Sequence, residues 1–496
     1  MTVKLRPYQE RAVVECRQAM RTGPTLLQLP TGGGKTITSG SIIGSASEKG
    51  NRCMFIVNRV ELLRQTAKTF DKLGIRYGMI APGYAFNSYA PVYIASVDTL
   101  KSRMTKLDDF FRTVKLAVWD ECRSCGSKGW ANLFRRLEEL GVKQLGLDAT
   151  PMRDGGKPLS EFFRHLVHGP TYSELVEVGA LVPFACYAPT IPDLSGVRKK
   201  GYDFDPDAVE EVMDKPSITG SIVDNYLQHA RGLKALCFAV SVEHSQHLAA
   251  EFCARGVRAV HLDGDTDDGV RKRAMQAYEA GEIDVMTNVA LFVAGLDVPD
   301  IRVLIDANPT QSLPSFLQKA GRVSRPADGK DQAVLFDHAG NCFRHGVPDE
   351  DRTWSLEGIE RKAKKAKDEE DEVKVRQCPK CKGVHKPRPQ CPHCHHVYEI
   401  DSRQVEQRDG ALRKISKEEA RAIREAEKAA EKAERAKLTA EVKRTSSREG
   451  LERIARERGY SDAWVDAQLK GKAIARAKYG ERQAQAQFDA YEGWKR

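Results

Sequence analysis

No stretch of this 496-residue chain approaches the run of about 18 apolar residues that a membrane-crossing helix needs. The N-terminus, MTVKLRPYQERAVVE, lacks the apolar core of a secretory signal. No membrane partner is expected, and the expected setting is the cytoplasm. A disulfide framework is missing too. The 12 cysteines are scattered except for four near the C-terminus, and without an export signal they read as reduced thiols plus one metal site.

What is present suffices for about three domains of roughly 150 residues each, with 41% apolar residues to fill their cores. The formal charge of +10 suits an anionic partner such as nucleic acid. Residues 1–185 alternate strand-like apolar runs (25–29, 53–57, 92–95, 116–119 and 144–147) with helical patterns, which predicts a parallel sheet covered by helices. Residues 186–216, rich in Pro, Gly and Asp, read as a linker. Residues 217–346 repeat the alternation, with runs at 235–240, 259–262, 284–287, 303–306 and 333–337. The expected fold class is α/β, with two tandem domains and a cleft between them. Beyond it we expect a charged linker at 347–374, a metal ribbon at 375–400, a charged Ala/Glu/Lys/Arg helix at 401–446 and a small helical unit at 447–496. The charged helix has too little apolar surface to dock firmly.

The chain is organised around residues 29–36, LPTGGGKT. A strand precedes this stretch and a helix follows it, as in a phosphate-binding loop. Pro30, Thr31, Gly32, Gly33 and Gly34 let the backbone turn its N–H groups toward one point. The helix start adds a positive field. Lys35 would reach the β- and γ-phosphates of ATP, and the Thr36 hydroxyl would hold Mg²⁺. Asp120 and Glu121 end a second apolar strand, where such sheets bind ligands. Asp120 would hold Mg²⁺ through water, and Glu121 would deprotonate the attacking water. Gln318, Arg322 and Arg325 lie in QKAGRVSR; the two arginines, three residues apart, are expected on one side of a helix, aimed at the γ-phosphate.

Cys378, Cys381, Cys391 and Cys394 form two CxxC knuckles separated by nine residues, a spacing that can close a tetrahedral Zn²⁺ site. So short a segment has no core of its own, and metal would supply its folding energy. Cys122 and Cys125 form another CxxC, for which a second metal is a remoter reading.

The order of these pieces resembles a superfamily 2 helicase of the DEAD/DEAH-box type over residues 4–345. Within that superfamily, the block from Gly264-Asp265-Thr266 to Phe336-Asp337-His338-Ala339-Gly340-Asn341 is similar to bacterial and phage-borne relatives of the RadD repair helicase. The resemblance implies two RecA-like domains, nucleic-acid-dependent ATP hydrolysis, and DNA as the track, in a bacterial or phage-infected cell. It assigns adenine reading to Arg6 and Gln9, nucleic-acid contacts to Asn58, Arg59, Gln65, Ser96, Thr99 and Thr287, and nucleotide contacts to Gly295 and Asp297. It places the coupling of ATP to movement at Asp148-Ala149-Thr150. A replication or repair protein could engage the C-terminal region.

Two residues depart from the family pattern. Arg123 stands where many relatives have His, and Asp148 where they have Ser or Thr. Opposite charges at two linked positions suggest an ion pair in place of a hydrogen bond; independent drift is the alternative. An RNA helicase, the motor of a restriction-type complex, and a nucleic-acid scaffold with a dead ATPase also stay open. The chain shows no convincing nuclease constellation, and its intact Lys35, Asp120, Glu121 and Arg325 argue against the scaffold.

Overall fold

The computed structural model describes residues 4–357, 375–398 and 447–458, apart from 59, 126, 189–191, 193, 195–196, 294–295 and 297, together with 445, 465 and 469. It divides into two compact units, Met1–Ile400 and Asp401–Arg496. No helix among the described residues is long and apolar enough to cross a membrane.

The first lobe is built on seven strands: β1 (Thr25–Gln28), β2 (Arg52–Val57), β3 (Tyr77–Ile80), β4 (Val92–Ser96), β5 (Val114–Asp120), β6 (Lys143–Asp148) and β7 (His165–His168). They lie parallel in the order β3-β4-β2-β5-β6-β1-β7. Helices cover both faces, so the central strands are buried along almost their whole length, which is why they read as continuous apolar runs. The end of β5 is fixed by an aromatic cluster. Trp119 packs 4.5 Å from Trp130 and 5.5 Å from Phe134, centroid to centroid. Its indole N–H donates to Gln144 Oε1 at 2.6 Å, so this buried polar group is satisfied.

The second lobe's sheet holds eight strands. These are β8 (Phe184–Tyr187), β11 (Ala235–Phe238), β12 (Ala259–His261), β13 (Val285–Asn288), β14 (Val303–Asp306) and β15 (Ala333–Asp337), then β16 (Arg376–Gln377) and β17 (Gly383–His385). A separate hairpin, β9 (Lys199–Lys200) with β10 (Asp203–Phe204), lies in the expected linker, followed by a helix at Pro206–Met213. The sheet order is β12-β13-β11-β14-β15-β8-β17-β16. β8 pairs parallel with β15, so it crosses the expected 185/186 boundary and belongs to the second sheet. β17 then pairs antiparallel with β8, and β16 with β17. The cysteine-bearing ribbon is therefore the edge of the second sheet, not a separate bead.

Between β15 and β16 the chain returns to the first lobe. The Leu356 carbonyl accepts from Leu159 N at 2.6 Å and Ser160 N at 3.0 Å, and Asp351 Oδ1 accepts from Ser173 N at 3.0 Å. Residues 347–357 thus form a packed strap, whereas 358–374, the expected charged helix and most of the last segment lie outside the described residues. In the C-terminal unit, helix Arg448–Arg458 buries Leu451 against Val465 and Leu469.

Candidate active site and metal centre

Strand β1 delivers the chain into the glycine loop, and helix Lys35–Glu48 leaves it. Gly34 caps that helix with φ at +86°, a left-handed conformation, and a Cβ there would collide with the Gln9 side chain. Tyr8 and Gln9 thus pack directly on the loop: the Tyr8 hydroxyl donates to the Gly33 carbonyl at 3.1 Å. Gln9 Oε1 accepts from Arg6 N at 2.9 Å, which ties the helix start to the expected adenine reader.

Glu121 follows β5 with φ at +49°, a strained conformation for a residue with a Cβ. Asn58 holds it there, donating from Nδ2 to the carbonyls of Asp120 at 3.2 Å and Glu121 at 3.1 Å. Three side chains converge on the Glu121 carboxylate. Lys35 Nζ lies 3.5 Å from Oε1, Arg123 Nη1 3.2 Å from Oε2, and Gln318 Nε2 donates to Oε2 at 2.9 Å from the other lobe. Arg123 Nη1 also reaches Asp148 Oδ1 at 3.4 Å and Thr150 Oγ1 at 3.0 Å. The Arg123 backbone N–H donates to Asp148 Oδ2 at 2.9 Å. Asp148 itself is fully buried. Burial works to raise the Glu121 carboxyl, but Lys35, Arg123 and Arg322 outweigh it and hold the group below the usual carboxylate range. Asp120 is pushed the other way by burial and by the adjoining Glu121 charge, with Lys35 opposing. The acid pair is therefore split, with Glu121 the ionised member and a cation favoured beside Asp120.

The arginine segment differs from expectation. Helix Leu313–Ala320 stops before either arginine, and residues 321–325 are turn and bend. Arg325 precedes Pro326, which disfavours a helical backbone at Arg325. Arg322 is aimed by its own lobe, donating from Nε to Val293 O at 3.0 Å and from Nη1 to Leu296 O at 3.1 Å. The Arg325 stem lies against Gly32, and Gly321 lies so close to Thr31 that a Cβ would collide with its side chain. Behind them, Lys319 Nζ meets Asp306 Oδ1 at 2.5 Å, and Asn341 Nδ2 donates to Asp306 Oδ2 at 2.8 Å. This buried, fully paired network sets the helix that carries Gln318.

The nucleic-acid candidates separate. Thr287 is corrected: it is fully buried, donating to the Ser245 carbonyl at 2.8 Å and accepting from Ser245 Oγ at 2.9 Å, so it serves the core. The Asn58 amide is committed to the acidic strand end. Ser96 and Thr99 are buried, at 6% and 5% exposure, whereas Gln65 is half-buried. Arg59, Gly295 and Asp297 lie outside the described residues. Asn58's tie to Asp120 and Glu121 left no local signal, because its partners are 62 and 63 positions away.

In the ribbon, Cys378 Sγ lies 3.7 Å from Cys394 Sγ, and Cys381 Sγ lies 3.7 Å from Cys391 Sγ. Four sulfurs about 2.3 Å from a central Zn²⁺ would be about 3.8 Å apart, so the donor set fits. The two knuckles match: Lys382 N donates to Cys378 O at 2.9 Å and His395 N to Cys391 O at 3.0 Å, with both residues at φ +58°. Among the described residues this is the only convergence of three or more ligating side chains. Cys122 and Cys125 instead sit in the first lobe's core, their thiols pushed up by burial.

Two α/β lobes, with a phosphate loop and acid pair on one and arginines from the other, define a two-lobed nucleotide-binding architecture. The model of the type III restriction enzyme res subunit matches residues 2–153, and that of the helicase conserved C-terminal domain matches residues 219–327. A "51.5 kDa protein" of a Lactococcus phage is 32% identical over 72% of this chain and 74% of its own length. The DNA 3'-5' translocase XPB2 of Sulfurisphaera tokodaii is 24% identical over 66% of the chain and 80% of its own. The fold is shared with the ATP-dependent type ISP restriction-modification enzyme LlaBIII bound to DNA, at a TM-score of 0.52 and 15% identity, over 68% of this chain and 28% of that one. The chain belongs to the superfamily 2 helicases, and is a nucleic-acid-dependent ATPase with two RecA-like lobes.

Proposed function

We propose that the chain uses Mg-ATP hydrolysis between its lobes to move along or remodel DNA. The observation that carries this reading is the 2.9 Å hydrogen bond from Gln318 to Glu121, which joins the arginine segment of one lobe to the water-activating acid of the other. The phosphates of ATP would compete with Glu121 for Lys35. Mg²⁺, held by Thr36 and Asp120, would supply charge neutralisation at the phosphate oxygens. Glu121 accepts the proton of the attacking water as the new bond to the γ-phosphorus forms. The bond from that phosphorus to the ADP oxygen breaks as it does so. Arg322 and Arg325 offset the charge on the departing phosphoryl group. Hydrolysis removes the group that both lobes grip, so the cleft reopens and strand contacts shift. Those contacts go to phosphates, and are sequence-independent and salt-sensitive. Zn²⁺ in the Cys378/Cys381/Cys391/Cys394 site would brace the edge of the second sheet.

The charge of +10 favours a nucleic-acid track, and the similarity to XPB2, a DNA translocase, favours DNA. A role in replication, recombination or repair, with a protein partner at the C-terminal region, belongs to the same proposal. The test is steady-state ATP hydrolysis with single-stranded, duplex and branched DNA and with RNA of matched length. Stimulation by a DNA form supports the reading; stimulation by RNA alone overturns it.

A further inference from the structure

The edge of the first sheet opposite the phosphate loop carries a row of cations. Strands β4, β2, β5 and β6 are neighbours in that order, and they begin at Val92, Arg52, Val114 and Lys143. Arg52, Lys115 and Lys143 therefore stand at the starts of three adjacent strands, and with the β4 start the row spans about 14 Å at about 4.8 Å per strand. Arg17, Arg21 and Lys49 join from the helix layer. With Lys115 and Lys143 they line one concavity of about 430 Å³. All five are exposed, and none forms an ion pair among the described residues; the Arg17 guanidinium donates to Ser45 Oγ at 2.5 Å.

The C-terminal fields of helices Pro7–Ala19 and Lys35–Glu48 account for one cation at each helix end. They do not account for Lys115 and Lys143, which begin strands. Five like charges around one hollow repel each other, and a polyanion relieves that repulsion. At the β4 end of the row stands Tyr89, 91% exposed. Its loop is tied to the cations, since Arg52 Nη2 donates to the Ser88 carbonyl at 3.0 Å. Cations in a row with an exposed ring beside them form the pattern that holds a single strand, phosphates on the charges and a base on the ring. The 14-residue helix Lys35–Glu48 separates this edge from the phosphate loop by about 20 Å.

We propose that this edge is a second nucleic-acid contact, which holds the phosphate backbone of single strand flanking the segment gripped in the motor cleft. The inference rests on the chain being a nucleic-acid motor, and not on the choice of DNA over RNA. The test compares binding of two oligothymidylates across a salt series, one short enough to fill the cleft alone and one several times longer. The proteins are wild type, Lys115→Ala/Lys143→Ala and Lys115→Arg/Lys143→Arg. For the long strand, the alanine pair should flatten the dependence of log K on log salt by about 1.4, which is roughly 25-fold in affinity at 0.1 M salt. Its short-strand affinity, and its ATP turnover at saturating short strand, should match wild type; the arginine pair should match wild type throughout. An unchanged salt slope on the long strand overturns the proposal, as does an equal loss on both lengths. A wild-type protein that binds neither strand, nor oligouridylates of the same two lengths, refutes the motor reading, and this inference with it.

Discussion

Replacing Arg123 should do more than remove one cation from the nucleotide site. Its guanidinium bridges Glu121 at 3.2 Å and Asp148 at 3.4 Å, and Asp148 has no exposure to water. Two unit charges at that 3.4 Å separation attract by about 5 kcal/mol at an effective dielectric of about 20. Desolvation of both groups offsets much of this, and a coupling of about 1–3 kcal/mol is the expected remainder. Arg123→Ala and Asp148→Asn should each lower nucleic-acid-stimulated kcat/KM. The double variant should lose less than the product of the two single losses, by about 5- to 150-fold. The assay is steady-state ATP turnover over the four-protein cycle. A second readout is the acid limb of the kcat profile. Glu121, held below the usual carboxylate range, stays ionised and active until the pH falls below that range. Removing Arg123 removes one of the charges that hold it low, so the limb should move to higher pH. Single effects that multiply to within about twofold, or a limb that stays in place, refute the ion-pair account.

Lys35→Ala should abolish ATP turnover with an unchanged thermal transition, since among the described residues the side chain's polar partner is Glu121 alone, at 3.5 Å; turnover at the wild-type rate would refute the assignment. Gly321→Val should drive a side chain into Thr31 and slow turnover, while ATP binding to the first lobe persists, as read by nucleotide fluorescence. Cys378→Ser/Cys394→Ser should reduce bound zinc from about one per chain to none by elemental analysis. Because Gly383–His385 pairs with Phe184–Tyr187, the same variant should speed amide exchange in the latter strand; unchanged exchange would mean that the ribbon does not brace the sheet.

The parts of the site that are contiguous in the chain were legible in the sequence. LPTGGGKT, the acid pair after its strand, and the two CxxC knuckles each carry their chemistry within a few residues. The five inner parallel strands of the first lobe were equally visible, because burial on both faces makes them continuous apolar runs. The strands Tyr77–Ile80 and His165–His168 were not, because four residues at a sheet edge carry too little pattern, and Phe184–Tyr187 was not, because its four residues straddle the expected start of a linker. The helical arginines were misread because a three-residue spacing does not reveal that Gly321 and Pro326 end the helix. The ion pair of Arg123 with Asp148 was visible only as two unusual residues of opposite charge; the 3.4 Å distance came from the fold. Thr287 resembled a strand contact by position, yet Ser245, 42 residues away, holds it in the core.

The central claim is that Glu121, positioned by Asn58, Arg123 and Gln318, activates the water that cleaves ATP. Glu121→Gln keeps the side chain's size and removes its capacity to accept the proton. Nucleic-acid-stimulated ATP turnover, measured alongside ATP binding, tests the claim directly. The account predicts ATP binding close to wild type with turnover lowered by at least about 100-fold; wild-type turnover by Glu121→Gln would contradict it.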